Sequence, residues 1–151
     1  MISLIISLVV FISYLAYVLI KYGIQRSISD SYYRLTKIDG WMFTIATWGY
    51  SFPLIFAANG DGILFLAGVL ICAVGAAPDA TGADKGFHSA FAEGGIAVAL
   101  AWMIFHVWFV AVPTILLIAL IYYKKYRNHT WWIEVVAYLS IVLSIYLNLK
   151  K

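Results

Sequence analysis

The chain has 151 residues, 64% of them hydrophobic and 11% charged, with a formal net charge of +3 and a mean hydropathy of +0.93. Soluble globular domains carry roughly 25% charged residues, so a water-soluble domain does not fit this composition. The positive balance does not indicate a nucleic-acid partner, because the basic residues flank apolar runs and form no basic face interleaved with aromatics. The single cysteine, Cys72, rules out an internal disulfide and a cysteine-rich metal site.

Apolar runs able to cross about 30 Å of hydrocarbon recur along the chain. Residues 2–21 read as the first span. They lack the basic start and small-residue cleavage site of a signal peptide, so the span is expected to stay in the protein. A polar connector follows from Tyr22 to Gly40, in which Ser29 or Asp30 is expected to cap a short interfacial helix through Tyr33 and Leu35. Tyr32, Tyr33 and Trp41 suit headgroup level. Residues 41–58 form the second span, with Pro53 inside it, and residues 63–77 the third. The tight turn Asn59-Gly60-Asp61-Gly62 joins them as a hairpin.

The third span places Gly68, Cys72 and Ala76 on one stripe, and the fourth places Ala90, Gly94, Ala97 and Ala101 on another. Small residues allow close helix approach, so these two helices are expected to pack on each other. Residues 88–123 would be about 54 Å long as one helix. They divide better into spans 88–105 and 109–123, with a very tight turn near His106 to Phe109. Trp131 and Trp132 open the last span, 130–149.

Charge supports that division. Six spans put eight of the ten Lys and Arg residues on one side and two on the other; five spans give seven and three. The positive-inside rule prefers six, with the odd-numbered loops cytoplasmic and both termini outside. The expected fold is an all-α polytopic transmembrane bundle of six spans, with five as the alternative. The expected setting is a bacterial inner membrane. Membrane lipids are the expected partners, and a second copy or another membrane protein is a further candidate.

Candidate chemistry gathers in Pro78 to Gly95, PDATGADKGFHSAFAEGG. Six spans would bring Ser29, Asp30, Asp79, Asp84, His88, His129 and Glu134 near one membrane face. Glu93 would sit about 7.5 Å deeper than His88. An ionisable group within a span usually faces a partner or a cavity, and Glu93 shares its face with Ser89 and Ala97, which reads as a packed face. Asp84 precedes His88 by four residues, a spacing that lets a carboxylate orient an imidazole; a helix N-terminus gives the same spacing by default. His106 lies about 27 Å along a continuous helix from His88, so the histidines do not converge on one metal. Glu134 reads first as a residue favoured near a helix start by the dipole.

Three functional readings stay open. Asp30, Asp79, His88 and Glu93 bind a lipid headgroup or small polar ligand. Alternatively an intramembrane hydrolase uses His88, Asp84, Asp79 or Ser29; its metal-dependent version would centre on His88 and Asp84 and need Asp79, Glu93 or Glu134 as further ligands, with His129 joining only through the loop face. The third is a proton- or ion-coupled carrier using Glu93. Whether the chain is an enzyme stays open, and no cofactor is implied.

SISDSYYRL (Ser27 to Leu35), WGYSFPLIFAA (Trp48 to Ala58), VGAAPDA (Val74 to Ala80) and the His88 that follows resemble pieces of small uncharacterised bacterial membrane proteins. Their order is similar to that of the damage-regulated autophagy modulator superfamily of six-span proteins, over the first two-thirds of the chain. The resemblance implies a six-helix bundle and draws attention to Ser29, Asp30, Asp79 and His88. It implies no activity.

Overall fold

The computed structural model describes residues 1–35, 41–57, 60–76, 84–125 and 127–150, with the backbone alone at 84 and 85. Among these residues there are α-helices, one 3-10 helix and no strand. The order is α1 (Ile2–Tyr22), the 3-10 helix (Ser29–Arg34), α2 (Met42–Ala57), α3 (Gly62–Ala76), α4 (Asp84–Tyr123) and α5 (His129–Asn148). Helices satisfy backbone N–H and C=O groups within each segment, which an apolar solvent demands. Helices α1, α4 and α5 are long and apolar enough to cross a membrane, whereas α2 and α3 are shorter apolar helices. Large apolar side chains face outward throughout, with Ile20, Phe56 and Phe105 among the most exposed. Apolar surface on this scale is a liability in water.

Two clusters form the core. Leu4, Trp102, Met103, Val107, Ala111 and Ile145 pack where α1 begins and α5 finishes. Phe11, Val18, Ile28, Phe43, Trp131 and Tyr138 pack toward the end where α1 stops and the first loop begins. These are the Leu4 end and the Arg26 end of the bundle. Local chemistry sets the helix limits at both. Gly23, at φ 73°, closes α1 with its N–H on the Leu19 carbonyl, a backbone setting that favours glycine. Asp61 Oδ1 starts α3 by accepting from the N–H groups of Ile63 and Leu64 at 3.0 and 3.1 Å, the usual action of an N-cap carboxylate.

Helix α4 does not run straight. Its 40 residues contain a non-helical break at Val107, with φ −146° and ψ 51°. Near its start, Phe91 and Ala92 pack on the cluster that holds Ile28 and Trp131, at the Arg26 end. Val107 and Ala111 belong to the cluster at the Leu4 end. Tyr122 has returned to the Arg26 end, where its ring meets His129 at 6.0 Å. The chain therefore doubles back at Val107, inside the stretch where the tight turn is expected. Each half buries its own stripe: Gly95, Ala99, Trp102 and Met103 before the break, and Ala111, Thr114 and Ile121 after it.

Helix α3 packs against both α2 and α4, but not through the expected pair of stripes. A Cβ on Gly68 would stand 2.4 Å from Ile55 Cγ1, so Gly68 faces α2. The close approach of α4 to α3 is at Gly95, where a Cβ would stand 2.6 Å from Ile71 Cδ1. Ala90 and Ala97 are exposed. Large Ile side chains filling glycine gaps, rather than two facing rows of small residues, set this packing.

Candidate functional site

The first loop is fastened along the start of α5. Asn128 Nδ2 donates to the Ile24 carbonyl at 3.2 Å, the Trp131 N–H to the Arg26 carbonyl at 3.1 Å, and the Ile28 N–H to Glu134 Oε2 at 2.5 Å. Positions 128, 131 and 134 share one helix face, and they meet every second residue of the loop. Within the loop, Ser27 Oγ accepts from the Asp30 N–H and lies 3.0 Å from Ser29 Oγ. The short helix expected here therefore forms, with Ser27 rather than Ser29 or Asp30 as the side-chain acceptor at its start. Ser31 Oγ donates to the Ile28 carbonyl. With that proton used, the Tyr14 hydroxyl must donate to Ser31.

Behind this seam lies a cavity of about 90 Å³ lined by all five α-helices and the loop. Its walls are mostly apolar; Ser29, Tyr50, Ser51, Glu134 and Tyr138 supply the polar atoms. One wall is an aromatic trio. Phe11 stacks on Tyr138 at 3.7 Å, and Tyr50 meets both rings edge-on at 5.4 and 5.3 Å. Ser7 holds the trio by donating to the Tyr50 carbonyl at 2.6 Å while pairing with the Tyr138 hydroxyl at 2.5 Å. The Ser7 proton is spent on the carbonyl, so Tyr138 is the donor and keeps its lone pairs. Ser51 Oγ is buried without a full hydrogen bond, and the Cys72 thiol is its polar neighbour.

Glu134 is half-buried at the loop side of the cavity. The Ile28 bond is its one hydrogen bond from a described residue, and the charged group that acts on it is another acid, Asp30. No lysine, arginine or histidine lines the cavity among the described residues. A carboxylate facing apolar walls without a counter-charge is costly.

A second polar group sits at the Leu4 end. The Trp102 indole, almost fully buried, donates to Asp61 Oδ2 at 2.6 Å. His106 Nε2 lies 3.5 Å from the same oxygen, its Nδ1 is 3.0 Å from the Trp102 carbonyl, and the two rings stack at 4.8 Å. Burial pushes the Asp61 carboxyl up, but the Leu64 N–H, the Trp102 indole and the Ile63 N–H outweigh it, with His106 adding to them, and hold the carboxyl below its ordinary range.

The residues singled out from sequence are placed as follows. Ser29 and Asp30 are half-buried in the 3-10 helix, and Ser29 lines the cavity. His88 is buried near the start of α4 and does not line that cavity. Asp79 lies outside the described residues, as does the side chain of Asp84. Glu93 corrects an expectation: it is exposed together with Ser89 and Ala97, so that face of α4 points away from the packed helices. The helix buries the face that carries His88, Gly95 and Ala99 instead, about 140° round from Glu93 at 100° per residue. His129 is half-buried against the Tyr122 ring. Among the described residues no group of three or more His, Cys, Asp and Glu could hold a metal ion.

In sequence Glu134 reads as a helix-start residue and Asp61 as part of a turn; the structure puts Glu134 on the cavity and Asp61 under the Trp102 indole. A signal for Glu134 was present, since it is the one acid inside an otherwise apolar last span. Tyr50, Tyr138 and Ser7 had none, because nothing in three separate apolar runs says that they meet. No family model matches the chain, and no curated protein or solved structure matches it either.

Proposed function

We propose that the chain is an integral membrane protein of six spans that binds a small amphiphilic molecule within its bundle. The apolar body of the ligand occupies the cavity between the five helices, and its polar end lies at the loop side, beside Ser29 and Glu134. The observation that carries this reading is the cavity itself: apolar walls with a few polar groups, one of them a carboxylate, is the usual make-up of a small-molecule site. In place of the expected set of Asp30, Asp79, His88 and Glu93, this reading puts the polar end of the ligand at Ser29 and Glu134. The reversal at Val107 supports counting α4 as two crossings, and the resemblance to six-span proteins enters this reading as topology alone. Arg26, Arg34, Lys124, Lys125 and Arg127 then share the cytoplasmic side of what we take to be a bacterial inner membrane.

Binding is tested with purified full-length protein in detergent and benzyl alcohol as the probe, followed by equilibrium dialysis. Saturable one-to-one uptake is expected, and Ala137→Phe, which fills the cavity, is expected to abolish it. Uptake that never saturates and is equal in both proteins is partition into the micelle, and overturns the reading. Topology is tested with tags at Met1 and Lys151 in intact and opened cells: six spans place both tags on the outer side, and tags on opposite sides would establish five.

A further inference from the structure

From the cavity's chemistry we infer that its ligand is an organic cation, an ammonium group carried on an apolar body. The inference rests on the ligand-site reading above and adds the sign of the charge. Three features converge on it. Glu134 has Oε1 without a hydrogen bond from any described residue, while Oε2 is held by the Ile28 N–H, so the carboxylate is fixed in place with one oxygen unused. Asp30 adds negative potential, and no basic side chain lines the cavity among the described residues. The aromatic trio of Phe11, Tyr50 and Tyr138 supplies the π-faces and edges that quaternary ammonium groups use.

The alternatives meet specific obstacles. An anionic ligand would have to approach Glu134 and Asp30 with no cation to receive it, and like charges at short range in an apolar setting repel strongly. A neutral apolar ligand would leave the free carboxylate oxygen facing hydrocarbon, where an unsatisfied polar group is costly. An alkylammonium supplies the missing counter-charge, and its methyl or methylene shell suits the remaining walls.

Three probes of matched shape separate the possibilities: benzyltrimethylammonium, its carbon isostere neopentylbenzene, and the anion benzylsulfonate. Each is titrated into the wild-type full chain in neutral detergent at pH 8. The ammonium is expected to bind at least tenfold more tightly than either of the others, and Glu134→Gln is expected to remove that preference. Equal binding of the ammonium and neopentylbenzene, with benzyl alcohol bound normally, overturns the cation inference and leaves the ligand site standing. Failure of all probes, benzyl alcohol included, overturns both. Should Glu134→Gln fail to fold, the wild-type ranking of the three probes decides alone.

Discussion

Two carboxylates, one at each end of the bundle, show how the same group serves two ends. At the Leu4 end, Asp61 accepts from two backbone N–H groups and the Trp102 indole, with His106 at its flank. At the Arg26 end, Glu134 has one hydrogen bond from the described residues and an acid for a neighbour. The first carboxylate is saturated and ties α3 to α4. The second is held in place but undersupplied, and it borders a cavity. Saturation is what structural carboxylates are given; a fixed and unsaturated one is what a ligand can use.

The contrast is broken or sharpened by four measurements. The largest effect is expected for Trp102→Ala, which removes a fully buried indole and strips Asp61 of a donor. The cost should be about 3–5 kcal/mol in reversible unfolding of the protein in detergent, and a loss under about 1 kcal/mol would mean that the Leu4 end is not the structural one. Asp61→Ala comes next, at about 2 kcal/mol, because it combines a lost helix cap with an indole left without an acceptor. Spectroscopy on Trp102 should report the same change.

Acidification gives a smaller, graded effect. The folded Asp61 carboxyl lies below its ordinary value of 3.8, so the stability it contributes is present in full above that value. It is lost as the pH falls through the lower folded value. In unfolding titrations Asp61→Asn should therefore flatten the acid limb below pH 3.8, and an unchanged limb would remove Asp61 as its source. The smallest stability change is expected at Glu134→Gln, within about 0.5 kcal/mol, because Gln still accepts from the Ile28 N–H. A loss as large as that of Trp102→Ala would make Glu134 as structural as Asp61 and erase the comparison.

What the sequence disclosed, and what it withheld, follows from the physics of each signal. Composition and apolar run length are local, and they suffice for an all-α chain with helices able to cross a membrane. The break in α4 was legible for the same reason, since a 36-residue apolar run outlasts the bilayer and has to stop somewhere near its middle. Facing was not legible. Ser89, Glu93 and Ala97 looked like an inward stripe because they are small or polar, yet α4 turns His88, Gly95 and Ala99 inward. In lipid both faces of a helix are apolar, so periodicity loses the contrast that marks the inside of a soluble protein. The cavity is a meeting of residues from every helix, and no run of sequence carries a trace of it.

The reversal at Val107 also fixes a reading frame in space. With no loop between its halves, α4 has no slack to absorb a change in length. One residue inserted just after Val107 would rotate the second half by about 100° relative to the first. Ala111, Thr114 and Ile121 would leave the interior, and the residues that precede them, Val110, Pro113 and Leu120, would be driven into their places. Across this chain, then, length is most tightly held at a point that carries no chemistry at all. A scan of single-residue insertions should find its sharpest intolerance there, and a milder response in the polar connector after Arg34.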